Sequence, residues 1–271
     1  MNQTLHSQYG PWALIAGGSE GIGLAFARQL AKAGINLILL ARRDGPLQAA
    51  REQLLEKFDI DVRVHSLDLT APGLEHTLAQ ITKDLEIGLL IYNAGAVHGA
   101  ARFHDEPLDK ALQLIALNCT GPATFAHHLG GRMRDRGHGG IILLSSVSGL
   151  SGGAYIATYC ATKAFDIAFA EGLWAELTPH GVNVLGLIAG ATDTPAMADS
   201  GIAFEPGQAM DPADVAREGL EQLSHGPIHV AGAGNRDSAG LMRDANRRMT
   251  VGFMSMGAAT MYGKNVPELP Q

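Results

Sequence analysis

The chain alternates short, continuous apolar runs with longer amphipathic segments, and this alternation constrains its fold more than any other feature. Strands that stay apolar along their whole length are typical of a parallel sheet with both faces covered. The pattern therefore predicts an α/β protein with a doubly wound sheet of about seven parallel strands and helices on both faces. We expect strands at Trp12–Ala16, Asn36–Ala41, Val62–Ser66, Ile87–Tyr92, Ile141–Leu144, Asn183–Ala189 and Ile228–Ala231. We expect helices at Gly21–Ala33, Pro46–Phe58, Leu74–Leu85, Leu108–Gly130, Tyr159–Leu177 and Asp211–Leu223.

The composition narrows the classes of function. The formal net charge is −7 and no basic run stands out, so we expect no nucleic-acid partner. The two cysteines, Cys119 and Cys160, are too few for a disulfide framework, and no N-terminal targeting signal is visible, so we expect a cytoplasmic protein. The apolar runs are short and interrupted by glycine, so no membrane span is expected. No linker divides the chain, so residues 1–271 are predicted to form one domain.

A glycine-rich turn follows the first predicted strand. Glycine lets the backbone turn tightly and approach a pyrophosphate, and the helix that follows presents unpaired N–H groups to it. The arrangement of strand, glycine-rich turn and helix predicts a Rossmann-type dinucleotide site. Its lining is expected to comprise Gly17, Ser19, Glu20, Gly21, Ile22 and Gly23.

The end of the second predicted strand bears on the choice of cofactor. Sites selective for an unphosphorylated ribose usually place a carboxylate there. This chain has Arg42 and Arg43, and a guanidinium pairs well with a 2′-phosphate. We therefore predict NADP(H) over NAD(H), with Arg42 as the main contact. Asp44 is close enough in sequence to reach the ribose, so NAD(H) stays an alternative.

A serine, a tyrosine and a lysine are spaced for proton chemistry near the fifth predicted strand. Tyr159 and Lys163 are four residues apart and so share one face of a helix, while Ser145 and Ser146 close the preceding strand. A tyrosine phenol ordinarily titrates near pH ~10, and a neighbouring ammonium favours the phenolate. A serine hydroxyl could hold a substrate oxygen beside it.

Four signatures occur in order along the chain. They are the glycines 17, 21 and 23, then Asn93-Ala94-Gly95, then Ser146 ahead of Tyr159-x-x-x-Lys163, and finally Ala189-Gly190 followed by Thr194. Together they closely resemble the short-chain dehydrogenase/reductase family, over about Pro11 to Ala231. The resemblance implies an NAD(P)-dependent oxidoreductase that interconverts a carbonyl and an alcohol.

The resemblance also implies residue roles. Tyr159 would be the general acid/base, Lys163 would support it and hold the nicotinamide ribose, Ser146 would bind the substrate oxygen, and Asn118 would support a water-linked proton relay. Further cofactor contacts would come from Asp68 and Leu69 near the adenine, from Asn93, Ala94 and Gly95 along the cleft, and from Gly190, Thr192 and Thr194 at the carboxamide end.

Two positions depart from the family pattern. The first motif usually opens with Thr, and this chain has Ala16; the usual Pro before Gly190 is Ala189. Proline would fix φ at that bend, so the nicotinamide end is less pre-set here.

The substrate is constrained less than the chemistry. The first half of the chain is similar to the subgroup acting on 3-oxoacyl chains and 17-ketosteroids, which favours an apolar ketone, steroid or 3-oxoacyl-type substrate. We expect a substrate loop at 192–210 and an extra Met-rich segment at 233–271, which either packs on the domain, forms a subunit interface or walls the substrate site.

Other expectations are coarser. The resemblance suggests a homodimer or homotetramer. No metal site is expected, because His127 and His128 are adjacent and point in different directions on a helix. A competing hypothesis is a regulatory protein that binds NADP(H) without catalysis.

Overall fold

A single parallel sheet organises the chain, as a computed structural model shows for residues 2–95, 99–205, 207–266 and 268. The strands are β1 (Trp12–Ala16), β2 (Asn36–Ala41), β3 (Val62–Ser66), β4 (Ile87–Tyr92), β5 (Gly139–Ser146), β6 (Val182–Ala189) and β7 (Ile228–Val230). Their order is β3-β2-β1-β4-β5-β6-β7, and every pairing is parallel. The predicted doubly wound, Rossmann-type sheet is confirmed.

Helices cover both faces of this sheet. Those before β6 are α1 (Asn2–Tyr9), α2 (Gly21–Lys32), α3 (Asp44–Lys57), α4 (Leu74–Ile81), α5 (Leu108–Ile115), α6 (Gly121–Phe125), α7 (Gly131–Arg136) and α8 (Ala157–Leu177). Those after it are α9 (Pro195–Asp199), α10 (Pro212–Gln222), α11 (Ala233–Asp244) and α12 (Arg247–Met261). None of the helices within the described residues has the length and apolar character that crossing a membrane requires.

The core lies in two layers, one on each face of the sheet. Along β1, Ala13 and Ile15 enter one layer, while Trp12 and Leu14 enter the other, because successive side chains of a strand point to opposite faces. The first layer is completed by side chains of α2, α3 and α10, including Phe26, Leu47 and Val215. The second is completed by α4, α6 and α8 through Leu78, Phe125 and Ala170.

The order of the strands reverses between β1 and β4. β1 pairs with β2 on one side and with β4 on the other, so the turn after β1 and the segment after β4 emerge side by side. In open α/β sheets, a crevice at the carboxyl ends of the strands forms at this switch point, and ligands bind there.

The helical stretch predicted at Leu108–Gly130 runs on to Arg136. Two π-helical turns, Ala116–Thr120 and Ala126–Gly130, separate its α-helical parts α5, α6 and α7. A π turn shifts the register of the residues that follow, and such turns are frequent at functional sites. The first of them contains Asn118.

Helix α1 was not expected from the sequence. It packs against the amino-terminal edge of the sheet, where Leu5 and Tyr9 are buried and the Asn183 side-chain amide donates a 2.8 Å hydrogen bond to the Tyr9 hydroxyl. Burial raises the pKa of Tyr9, so its phenol stays neutral. The Tyr9 carbonyl comes so close to β4 that a Cβ on Gly88 would lie 2.3 Å from it.

The close approach of α1 to β4 leads to a stability prediction. Gly88→Ala is expected to lower the free energy of unfolding by about 1–3 kcal/mol, because the added methyl group overlaps backbone atoms that cannot move alone. Gly172→Ala in α8 is the control, because a Cβ there meets nothing within 4 Å, and it is expected to raise stability by about 0.5–1 kcal/mol. Urea titration measures both; equal midpoints would contradict the docking of α1.

Candidate active site

The glycine-rich turn after β1 is shaped as a cradle. Gly17 and Gly21 have φ values of +80° and +53°, which L side chains rarely adopt. A Cβ on Gly23 would lie 1.9 Å from the Gly17 carbonyl oxygen, so only glycine fits. Helix α2 begins directly after Glu20, and no side chain caps its first N–H groups. An uncapped helix N terminus behind a glycine turn suits a phosphate.

Two other motifs meet this turn. The Asn93 side-chain amide donates a 2.8 Å hydrogen bond to the Gly17 carbonyl, which joins the segment after β4 to the turn after β1. On the opposite side, Thr194 after β6 lies against Gly21, because a Cβ there would be 3.1 Å from the Thr194 methyl carbon. Thr192 is buried, and its hydroxyl donates to the Gly190 carbonyl at 3.1 Å. The structure thus gathers three of the four signatures at one crevice.

The end of β2 separates the two arginines. Arg43 forms an ion pair with Glu20 of the glycine-rich turn and lies 3.9 Å from the Asp199 carboxylate. Arg42 is exposed and makes no ion pair within the described ranges. It faces Asp68, whose pKa is lowered mainly by hydrogen bonds from the Thr70 N–H and hydroxyl and further by the Arg42 charge. Leu69 beside Asp68 is buried.

Helix α8 carries Tyr159 and Lys163, as predicted. Tyr159 lies in the first turn and is half-buried, whereas Lys163, one turn later, is buried. Ser145 and Ser146 end β5, and they are not equivalent: the Ser145 hydroxyl is buried and donates to the Lys163 carbonyl at 2.7 Å, whereas Ser146 is half-buried and accepts from the Ser148 N–H at 3.1 Å. Ser145 therefore anchors α8 on the sheet, while Ser146 borders the crevice.

Asn118 reaches this group from the π turn before α6. It is buried, and its amide donates a 3.0 Å hydrogen bond to the Thr162 hydroxyl on α8. A Cβ on Gly95 would lie 3.4 Å from the side-chain Oδ1 of Asn118 and 3.3 Å from Lys163 Nζ. Asn118, Lys163 and the Asn93-Ala94-Gly95 segment therefore converge at one point.

One charged neighbour of this group was missed from the sequence. Asp166 is buried on α8, and its Oδ2 accepts a 2.9 Å hydrogen bond from Lys163 Nζ. The same Nζ donates to the Leu144 carbonyl at 2.8 Å. The i, i+3 spacing of a lysine and an aspartate was a visible signal, but such pairs are usually solvated, and only burial distinguishes this one.

The Met-rich segment covers the active-site loop between β5 and α8. The Ala154 N–H donates to the Ser255 hydroxyl at 2.9 Å, and the Tyr155 hydroxyl donates to the Asn265 carbonyl at 2.8 Å. A small apolar cluster beneath α12 contains Ala100, Ile156, Cys160, Met254 and Ala258, and Tyr155, Tyr159, Met242 and Tyr262 pack against it. In the predicted substrate loop at 192–210, Pro206 lies outside the described residues. In the Met-rich segment at 233–271, Pro267 and residues 269–271 do.

The two departures from the family pattern leave the crevice intact. At Ala16, the backbone carbonyl accepts hydrogen bonds from the Asn93 N–H at 3.0 Å and the Ala94 N–H at 2.8 Å, so backbone groups hold this turn. Ala189 ends β6, and the following Gly190 faces Asn235 of α11, whose Oδ1 would lie 2.2 Å from a Cβ there. Asn235 is a second residue that sequence reasoning missed.

The residues present fit a dinucleotide. The glycine cradle and uncapped helix suit a pyrophosphate, the β2 end offers an exposed guanidinium to a ribose, and Tyr159 and Lys163 lie at the far end of the same crevice. Within the part of the chain that the structure describes, no group of three or more His, Cys, Asp or Glu side chains could hold a metal ion.

Comparison with known proteins defines the class. Residues 11–203 match the family of short chain dehydrogenases, and the chain belongs to this family. It is an oxidoreductase that acts on CH–OH groups and uses a nicotinamide dinucleotide cofactor. The family resemblance read from the sequence is confirmed.

Individual relatives are more informative over the whole chain. A 7beta-hydroxysteroid dehydrogenase of Clostridium sardiniense is 32% identical over 236 residues, which is 85% of this chain and 88% of that protein. A solved structure of a 7beta-hydroxysteroid dehydrogenase superimposes with a TM-score of 0.87 at 27% identity and covers 92% of this chain and 98% of that chain.

Two further relatives match over the same fold. A very-long-chain 3-oxoacyl-CoA reductase of Ajellomyces capsulatus is 34% identical over 185 residues, which is 66% of this chain and 55% of that protein. A short-chain dehydrogenase from Sphingobium yanoikuyae, solved in complex with NADPH, has a TM-score of 0.74 at 29% identity and covers 88% of this chain and 97% of that chain.

Proposed function

We propose that the protein is an NADP(H)-dependent oxidoreductase that interconverts a ketone and a secondary alcohol on a bulky, apolar substrate, with a steroid as the favoured class. The observation that carries this proposal is the position of Tyr159. Tyr159 lies one turn before Lys163 on α8, and its ring packs against the apolar cluster beneath α12. Proton chemistry and an apolar surface therefore meet at one side chain.

The proposed mechanism assigns one task to each group. Tyr159 donates its phenolic proton to the carbonyl oxygen, and the Ser146 hydroxyl donates a hydrogen bond to the same oxygen while charge develops there. The Lys163 ammonium favours the phenolate that remains on Tyr159. Asn118 supports the return of a proton from water. When bound, the nicotinamide supplies the hydride.

The preference for a steroid over a 3-oxoacyl chain rests on the variable segments. The 7beta-hydroxysteroid dehydrogenase is similar over 85% of the chain, whereas the 3-oxoacyl-CoA reductase is similar over 66%. The cluster beside Tyr159 combines aromatic rings, adaptable methionines and alanines, and such an apolar surface suits a broad, flat apolar body. A 3-oxoacyl thioester or another bulky ketone is the alternative.

The preference for NADP(H) rests on Arg42. Its guanidinium is exposed at the end of β2, where the adenine-side ribose of a dinucleotide is expected, and it has no ion-pair partner in the described ranges. Arg43 forms an ion pair with Glu20, so its guanidinium is less available to a cofactor phosphate. The relative solved with NADPH supports the same choice. NAD(H) remains the second candidate, since Glu20 and Asp68 bring carboxylates close to the ribose position.

We also propose that the protein assembles into a homodimer or a homotetramer. Three large apolar side chains lie along one side of α5. Leu108 is 61% exposed, Leu112 is 52% exposed and Ile115 is 41% exposed. Three large apolar side chains exposed together on one helix face favour burial against another subunit. The symmetry expected of such oligomers makes a second copy of this chain the partner.

Removal of one hydroxyl tests the mechanism. Tyr159→Phe is expected to lower kcat by roughly 10²–10⁴-fold and to leave the Kd for NADPH within about twofold, because only the transferred proton is lost. The assay is NADPH oxidation over a panel of oxosteroids, 3-oxoacyl thioesters, small ketones and sugars. Tyr9→Phe removes the same hydroxyl at the opposite edge of the sheet and should stay fully active.

The outcomes of this panel separate the competing functions. Turnover of oxosteroids above the other classes supports the proposal, and turnover by Tyr159→Phe equal to the wild type rules the mechanism out. NADPH binding without turnover of any carbonyl would instead favour the regulatory protein.

A charge reversal tests the cofactor preference. Arg42→Asp is expected to lower the ratio of kcat/KM for NADPH to that for NADH by roughly tenfold or more, since a hydrogen bond to a charged group contributes about 1.5–3 kcal/mol. Arg134→Asp makes the same charge change at an exposed site on α7 and should leave the ratio unchanged. An unchanged ratio in both variants would refute the role of Arg42.

A charged substitution tests the assembly. Leu112→Glu is expected to convert the oligomer to monomers in sedimentation velocity runs, because a carboxylate cannot be buried unpaired. Leu55→Glu on α3 is the control at another exposed leucine and should leave the oligomer intact. A monomeric wild type would remove this part of the proposal.

A further inference from the structure

Lys163 and Asp166 form an ion pair that is almost completely shielded from water. The side chain of Lys163 is 7% exposed and that of Asp166 is 3% exposed. Burying an ammonium or a carboxylate without a partner is costly, so paired burial needs good geometry and further hydrogen bonds. The 2.9 Å contact to Asp166 and the 2.8 Å contact to the Leu144 carbonyl meet that requirement for Lys163.

The geometry accounts for two of the three N–H bonds of the Lys163 ammonium. Asp166 on α8 accepts one and Leu144 on β5 accepts the other. The Nζ atom lies next to Gly95, where a Cβ would be 3.3 Å away, and the side-chain Oδ1 of Asn118 borders the same point. Among the residues that the structure describes, these two bonds leave the third N–H for the side where the cofactor cleft and the proposed proton relay meet.

The other titratable groups around this pair come from three elements. Tyr92 on β4 is buried, and its pKa is raised by burial and then by the Asp166 charge. Cys119 in the π turn has its pKa raised to about 11, mainly by burial and then by Asp166, with Lys163 opposing the rise. Tyr159 lies one turn before Lys163 on α8. Burial raises the pKa of Asp166, and the Lys163 ammonium in contact with it opposes that rise.

We infer that Asp166 is a positioning residue of the active site, whose carboxylate keeps the buried Lys163 ammonium charged and turns its third N–H toward the cleft beside Gly95. Tyr92 and Cys119 are neutral around pH 7, so neither can replace this carboxylate as a counter-charge. Without Asp166, the Lys163 ammonium would lose its one ion-pair partner among the described residues and keep its bond to the Leu144 carbonyl, and burial disfavours the charged form of lysine. The inference deepens the proposed function, on which its catalytic consequence rests.

Direct titration of the lysine tests the inference without any substrate. The chain has six lysines, so ¹³C spectra of the labelled side chains can be resolved, and Lys163→Arg identifies the Lys163 signal by its loss. In Asp166→Asn, which keeps the side-chain shape, the midpoint of the Lys163 signal is expected to fall by about one pH unit or more. The other five signals should not move. Glu171→Gln, an exposed position on the same helix, should leave all six unchanged.

The pH dependence of alcohol oxidation gives the second readout. If Lys163 loses its charge, Tyr159 loses the cation that favours its phenolate, so the basic form of the phenol appears at higher pH. The acidic limb of the kcat/KM profile is therefore expected to move upward by about one unit in Asp166→Asn. A purely structural role for Asp166 would lower Tm and leave this limb in place.

The two measurements distinguish a failure of the inference from a failure of the proposed function. A Lys163 midpoint in Asp166→Asn that equals or exceeds the wild-type value overturns the inference. A lowered midpoint without turnover of any carbonyl supports the pairing and refutes the proposed function instead. Should Asp166→Asn fail to fold, Lys163→Met examines the pair from the other side. The ¹³C carboxyl signal of Asp166 should then titrate about one unit higher than in the wild type, and an unchanged signal overturns the coupling.

Discussion

The reversal of strand order between β1 and β4 is the constraint on which the rest of the structure depends. β1 and β4 are neighbours in the sheet, but no single crossover connects their carboxyl ends. A crevice therefore opens between the segments that follow the two strands. Backbone groups at the rim are then held by each other: the Ala16 carbonyl accepts from two N–H groups after β4, and the Gly17 carbonyl accepts from Asn93. The site is therefore rigid because the sheet itself fixes both of its walls.

Helix α8 crosses from solvent into the core beside that crevice. Its first turn leaves Tyr159 half-buried, and one turn further Lys163 and Asp166 are in dry surroundings. The charge of the lysine is felt strongly there because little water screens it, and the same dryness demands a counter-charge. A half-buried phenol and a buried ion pair one turn apart are thus two consequences of the way α8 enters the core.

Sequence reasoning succeeded where local patterns determine structure. The bounds of β1, β2 and β4 follow from apolar runs that end at glycine or polar residues, and Tyr159 and Lys163 share a helix face because their spacing requires it. It failed where burial depends on distant partners. Helix α1 has a polar sequence and is held by contacts of Leu5 and Tyr9 with the sheet, and Asp166 becomes buried only because α8 packs on β5. The elements that bury these residues are distant in sequence, so a local pattern such as the i, i+3 spacing of Lys163 and Asp166 cannot reveal the burial.

The chemistry and the choice of substrate are built from separate parts of the chain. The polar groups near Tyr159 come from β5, the π turn and α8, all inside the residues 11–203 that match the family. The apolar cluster against which Tyr159 packs also includes Met254 and Ala258 of α12, which lies beyond that region and accepts a hydrogen bond from the Ala154 N–H through Ser255. Side chains on α12 can therefore change without disturbing the ion pair on α8. Under the proposed function, such a division lets one proton-transfer apparatus serve different ketones through changes in the α12 side chains.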